Sequence, residues 1–191
     1  MPGVSDFPIF LDLHDREVLV VGAGLIASRK ILDLVAAGAR VRVIATRASL
    51  EVEELAKSGA VTLERRAFAE ADITNPWFIV SATGDPTVEG RVFAVAESKR
   101  IFVLAVDDLA HASAASGSVI RRYPFIVSIS SSAEVPAMTR LLREVLERVL
   151  PEESWISVAR DLRAKWRRSG TPMASRFEEL VRAVMNVDAR S

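Results

Sequence analysis

The sequence predicts an α/β fold: a Rossmann-type doubly wound parallel sheet, then a small α+β segment and a helical C-terminal region. Three observations carry that prediction. Over roughly the first 110 residues, short apolar runs alternate with stretches of helical periodicity, the rhythm of a parallel sheet with right-handed crossovers. A glycine-rich turn joins the first run to the first helical stretch. Beyond about residue 113 the alternation stops, and a hairpin pattern gives way to amphipathic helices.

Residues 17–22 (EVLVVG) read as a strand buried on both faces. Residues 24–37 follow with apolar positions at Ile26, Ile31, Leu34 and Val35, and Gly38 stands where a C-terminal cap belongs. Residues 40–45 (RVRVIA) predict a second strand, 49–57 a helix closed by Gly59, and 61–65 a third strand. Residues 77–82 (WFIVSA) and 101–106 (IFVLAV) predict two more buried strands, with a helix over 87–98 between them. Residues 117–121 and 124–130 predict a hairpin turning at Arg122 and Tyr123. Helices are expected over 138–150, 154–168 and 175–186, with Pro151 opening the second and Gly170-Thr171-Pro172 parting the last two. The domain expectation is 1–113, 114–150 and 151–191.

Composition narrows the chemistry. The 191 residues are 50% hydrophobic and 26% charged, as in an ordinary globular protein. There is no cysteine, which excludes disulfides, iron–sulfur clusters, cysteine-ligated zinc and a thiol nucleophile. Two histidines, His14 and His111, argue against a site with several histidine ligands, and no permanent metal site is expected. Net charge is zero, with 25 basic and 25 acidic residues, so no overall field favours nucleic acid or an anionic membrane. The basic stretch Arg163, Lys165, Arg167 and Arg168 is accompanied by no nucleic-acid motif, so no nucleic-acid partner is expected. No apolar run reaches the roughly 18 residues of a membrane span, and the N-terminus lacks a signal-peptide pattern; a cytoplasmic location is expected, with no membrane partner.

Gly22-Ala23-Gly24-Leu25-Ile26-Ala27 fits G-x-G-x-x-A directly after a strand and opening a helix. Gly22 permits the tight turn, Gly24 lets a pyrophosphate approach the backbone, and Ala27 allows close helix–strand packing. Helix N-terminal amides favour the phosphate charge. The residue-level alternative is a tight turn without ligand, against which the surrounding strand–helix–strand context weighs. The acid expected near the end of the second strand is absent, and Ile44-Ala45-Thr46-Arg47 stands there. Arg47 suits a 2′-phosphate or solvent equally, so these residues leave NAD and NADP open.

Several segments together resemble one family. They are Phe7-Pro8-Ile9-Phe10-Leu11-Asp12-Leu13, the glycine turn with Ala27-Ser28-Arg29-Lys30, Ala37-Gly38-Ala39, and Thr83 with Asp85 and Thr87-Val88. Val106-Asp107, Ser130-Ser131, Pro136-Ala137 and Leu141-Leu142-Arg143-Glu144 continue it. Their order and spacing resemble the N-terminal half of siroheme synthase and its stand-alone relatives, the precorrin-2 dehydrogenase/sirohydrochlorin ferrochelatase family, without the methyltransferase half.

The resemblance implies a homodimer whose segment 114–150 dimerises. It implies NAD as cofactor and oxidation of precorrin-2 to sirohydrochlorin in sirohaem biosynthesis, some members also inserting Fe²⁺ as a substrate. The alternatives are that bifunctional enzyme and a non-catalytic module sensing NAD(H) or a tetrapyrrole. Asp107 matches the family's active-site aspartate, where a carboxylate would accept a proton; by its residues alone it reads rather as a loop cap. Leu25, Ile26, Thr46 and Arg47 match dinucleotide-contacting positions. Thr83 and Asp85 lie after the fourth strand, and Thr83 either bonds the cofactor or ends the strand. Ser131 matches a serine that can be phosphorylated in a family member. A polycarboxylate substrate calls for basic side chains, for which Arg121 and Arg140 are candidates, with His111 as a candidate for proton transfer or metal delivery. The departures are Leu104 for a common asparagine, Gly117 for a common proline, Gly84 for a common acid, and Ser132-Ala133 for two glycines. They surround the expected tetrapyrrole cleft and spare the dinucleotide turn.

Overall fold

The computed structural model describes residues 7–106, 108–131, 135–150 and 153–188. These separate into two compact units, one ending at Ser116 and the other beginning at Gly117.

The first unit is a five-stranded parallel sheet with helices on both faces. Its elements are β1 (Glu17–Val21), α1 (Leu25–Ala36), β2 (Arg40–Ala45), α2 (Leu50–Lys57), β3 (Val61–Arg65), β4 (Phe78–Ser81), α3 (Pro86–Ser98) and β5 (Val103–Ala105). The strand order is β3-β2-β1-β4-β5, all pairs parallel. The chain winds outward from β1 in one direction and then restarts on its other side at β4, which leaves a crevice at the carboxyl ends of β1 and β4.

Alternate residues of each strand feed two apolar clusters, one per sheet face. Val18, Val20, Val43 and Val80 pack with Ala27, Ile31 and Leu34 of α1. Leu19, Val21, Ile44 and Ile79 pack with Val92 and Ala96 of α3 and with Ile73. Burial on both faces explains the near-continuous apolar runs.

Three helices of this unit end alike. Gly38 N–H meets Val35 O and Ala39 N–H meets Leu34 O; Gly59 N–H meets Ala56 O and Ala60 N–H meets Leu55 O. Arg100 N–H meets Glu97 O and Ile101 N–H meets Ala96 O in the same way. Each is a Schellman cap, in which the residue after the C-cap adopts positive φ. Gly38 and Gly59 do so at +77°, whereas Arg100 does so at +58° with a side chain attached.

One strand limit differs from expectation for the same reason. Ile101 closes the α3 cap, so the last strand begins at Val103 and not at residue 101. Trp77 lies outside β4 and is 60% exposed beneath the Arg16 guanidinium, 3.6 Å from its ring centroid.

The second unit holds an antiparallel hairpin, β6 (Ser118–Arg122) and β7 (Phe125–Ile129), then α4 (Pro136–Val149), α5 (Glu153–Ser169) and α6 (Met173–Asp188). The hairpin turns at Tyr123 and Pro124, one residue later than expected. Proline has no N–H for the ladder, so it takes the turn, and Arg122 pairs with Phe125. Trp166 Nε1 of α5 donates to Glu179 of α6 at 2.9 Å. Ile120, Ile129 and Val184 are the buried apolar side chains of this unit among the described residues. No helix among the described residues is long and apolar enough to cross a membrane.

Candidate dinucleotide site

The carboxyl edge of the sheet gathers the loops that follow β2, β1 and β4. Gly22 ends β1 at φ +104°, and its N–H donates to Ile44 O at 2.9 Å. A Cβ on Gly22 would stand 2.3 Å from Ala82 O, so β1 and β4 approach here more closely than any side chain permits. Ser28 lies buried in α1; its hydroxyl reaches Gly24 O at 3.0 Å and the Ser49 hydroxyl at 2.8 Å. Ser49 caps α2 through Val52 N–H, and its own N–H donates to Ala23 O. The glycine turn is thus clamped from the β4 side and from the start of α2.

Gly24 is the N-cap of α1, with extended backbone at φ −76° and no side-chain cap. The first turn of α1 carries no acid, and a Cβ built on Gly24 meets nothing within 4 Å. The first amides of a helix have no intrahelical acceptor. Uncapped amides, the positive end of the helix dipole and open space together fit a dinucleotide's pyrophosphate. Leu25 and Ile26 are 71% and 52% exposed at the mouth of this opening. Thr46 and Arg47 are exposed just beyond β2, on the same edge.

The β4 side is built around a residue the sequence did not single out. Glu89 in α3 is 3% exposed, and its Oε1 accepts from the Thr83 N–H, the Thr83 hydroxyl and the Gly84 N–H, each at 3.1 Å. The detectable signal was an acid at the buried helical spacing of Glu89, Val92 and Ala96. Thr83 is therefore held by α3. Asp85 caps α3, its carboxylate accepting from Thr87 N–H at 2.9 Å and Val88 N–H at 3.4 Å. Hydrogen bonding at this helix end gives Asp85 a task within the fold.

His111 follows β5 and is not a solvated loop side chain. Its Nδ1 lies 2.6 Å from Asp108, whose carboxyl is held below the usual range first by this bond. Its ring meets Phe93 edge-on, and its Nε2 would lie 3.3 Å from a Cβ on Gly90. The missing side chain at Gly90 thus makes room for His111 on α3.

Asp107 and the Ser132-Ala133 departure lie outside the described residues. Arg121 is exposed in β6, Ser131 is exposed beyond β7, and Arg140 is exposed in α4 with its Nε 2.9 Å from Glu144. These three belong to the second unit. No group of three or more acidic or histidine side chains able to hold a metal occurs among the described residues.

Comparison with known proteins adds the family. The siroheme synthases of Mannheimia succiniciproducens and Actinobacillus succinogenes are each 40% identical to the chain over 161 residues, 84% of its length. That of Neisseria meningitidis is 38% identical over 161 residues. The chain spans about a third of the length of these curated relatives. A solved structure titled "SirC, precorrin-2 dehydrogenase" superposes with a TM-score of 0.73 at 26% identity, over 94% of this chain and 89% of that one. Residues 9–118 match a family model described as "Putative NAD(P)-binding". With the glycine turn, the strand order and more than half of its 191 residues inside that match, the chain belongs to this NAD(P)-binding family.

Proposed function

We propose that the protein is an NAD-dependent precorrin-2 dehydrogenase, a cytoplasmic homodimer that oxidises precorrin-2 to sirohydrochlorin. The observation that carries this reading is the extent of the structural likeness. It covers 94% of the chain and so continues past the dinucleotide unit into the hairpin and helices.

Bound NAD supplies a hydride acceptor, and the substrate gives up one hydride and one proton. Gly22 and Gly24 admit the pyrophosphate to the amides of α1, and Leu25 and Ile26 cover the opening. Thr46 and Arg47 line the β2 side. Thr83 lines the β4 side, and Asp85 acts through the end of α3. Asp107 takes the proton, and Arg121, Arg140, Ser131 and His111 serve the carboxylate-rich substrate. The exposed apolar residues Met138, Leu141, Leu142, Val145 and Val149 of α4 support a dimer built on that helix.

The test incubates the purified protein with precorrin-2 and NAD without metal and follows the absorbance of sirohydrochlorin. NAD-dependent formation that is lost in Asp107→Ala is expected. Adding Fe²⁺ to the same cuvette then asks whether the product is also metallated. Dinucleotide binding with no sirohydrochlorin would overturn the dehydrogenase and leave a sensing module or another substrate.

A further inference from the structure

Glu89 does more than its geometry requires. Holding the loop after β4 needs one acceptor for the Thr83 N–H, the Thr83 hydroxyl and the Gly84 N–H. A neutral amide oxygen would accept the same three donors. The protein instead buries a carboxylate, and burying charge is costly unless it is compensated. All three partners are neutral, and the first turn of α3, in which Glu89 itself stands, offsets only part of its charge.

The position of that charge gives it a use. A Cβ on Gly22 would stand 3.1 Å from Thr83 N, and Thr83 N stands 3.1 Å from Glu89 Oε1. The carboxylate is therefore two short contacts behind the glycine turn, on the β4 side. On the other side stands the uncapped N-terminus of α1, without an acid in its first turn. Both sides of the crevice thus carry a helix N-terminus, but only the α3 end beside β4 has acids, Asp85 and Glu89, set against it.

An oxidised nicotinamide dinucleotide is polarised in the same sense, with an anionic pyrophosphate and a cationic ring. The reduced form keeps the first and lacks the second. Thr83 and Gly84 have their donors turned inward to Glu89, so this wall does not offer those donors to an anion.

We propose that Glu89 sets the redox-state preference of the site: its buried carboxylate behind the Thr83–Gly84 wall favours the oxidised dinucleotide over the reduced one. This rests on the dinucleotide reading above. Glu89 is a positioning residue acting through the loop and through its field, and it need not touch the cofactor. A unit charge acting over about 10 Å at an effective dielectric of about 20 changes affinity roughly tenfold.

Calorimetric titration of the full chain with NAD⁺ and with NADH gives a Kd for each. The wild-type protein is expected to bind NAD⁺ more tightly. Glu89→Gln keeps an acceptor oxygen and removes the charge. It is expected to shift the Kd ratio about tenfold toward NADH while the melting temperature stays close to wild type. Equal weakening of both ligands in Glu89→Gln, or tighter NADH binding by the wild type, would overturn the role and leave Glu89 as a loop anchor. If Glu89→Gln does not fold, tighter binding of NADH by the wild type still overturns the role. Failure of the wild type to bind either form would instead overturn the dinucleotide reading itself.

Discussion

Two glycines two residues apart have opposite constraints. Gly22 has φ +104° and backbone 2.3 Å from where its Cβ would sit, whereas Gly24 has an ordinary φ and open space. Gly22→Ala is expected to cost several kcal/mol, about 2 or more, because strain and overlap add. Gly24→Ala is expected to melt within a degree or two of wild type and to lose dinucleotide affinity at least tenfold, since the methyl fills the ligand's space. Thermal melts and binding titrations on the same two variants check both statements. Elsewhere, Asp72 is buried and bonded to Arg66 at 2.6 and 2.8 Å and to Ala69 N–H at 2.7 Å. Arg66 above all holds its carboxyl below the usual range. A lowered folded value means that Asp72 contributes stability at neutral pH, and that this is lost as pH falls through the folded value. Urea denaturation should show wild type above Asp72→Asn at pH 7, with the two converging in strong acid. The exposure of Arg66 keeps this gain modest.

At the scale of elements, the Schellman caps carry a prediction of their own. Arg100 occupies a left-handed position that Gly38 and Gly59 occupy without penalty. Arg100→Gly should stabilise the protein by about 0.5–1 kcal/mol, the relief of left-handed strain less the added freedom of glycine in the unfolded chain. Chemical denaturation would show it as a raised midpoint at constant slope. The elements themselves were readable because a double-faced sheet leaves unbroken apolar runs and the glycines mark two helix ends. The ends at Val103 and Phe78 were less readable: Ile101 is taken by the α3 cap, and Trp77 stands exposed although its N–H still meets Glu17 O, and neither feature has a periodic signature. The glycine turn was legible from its spacing together with its strand–helix–strand context. Glu89 and Ser28 were not, because no periodic pattern marks a carboxylate that turns back onto the loop before its helix or a hydroxyl that reaches the cap of the next one.

At the scale of the whole molecule, the two units are unequally buried. The first has an apolar cluster on each sheet face, while Ile120, Ile129 and Val184 are the buried apolar residues described in the second. α4 leaves Leu141, Leu142 and Val145 about half exposed. On the proposed dimer, Val145→Asp should convert a dimer into monomers in sedimentation equilibrium, and the melting temperature should lose its dependence on protein concentration.

Among the described residues the second unit has a thin core, and on the proposed dimer this has a genetic consequence. Each chain would complete its burial against another copy, drawn from whatever pool is being translated. In a cell carrying two alleles, subunits with a damaged glycine turn would assemble with intact ones and lower the yield of fully competent pairs. Lesions confined to α4 would escape that mixing and behave as simple losses.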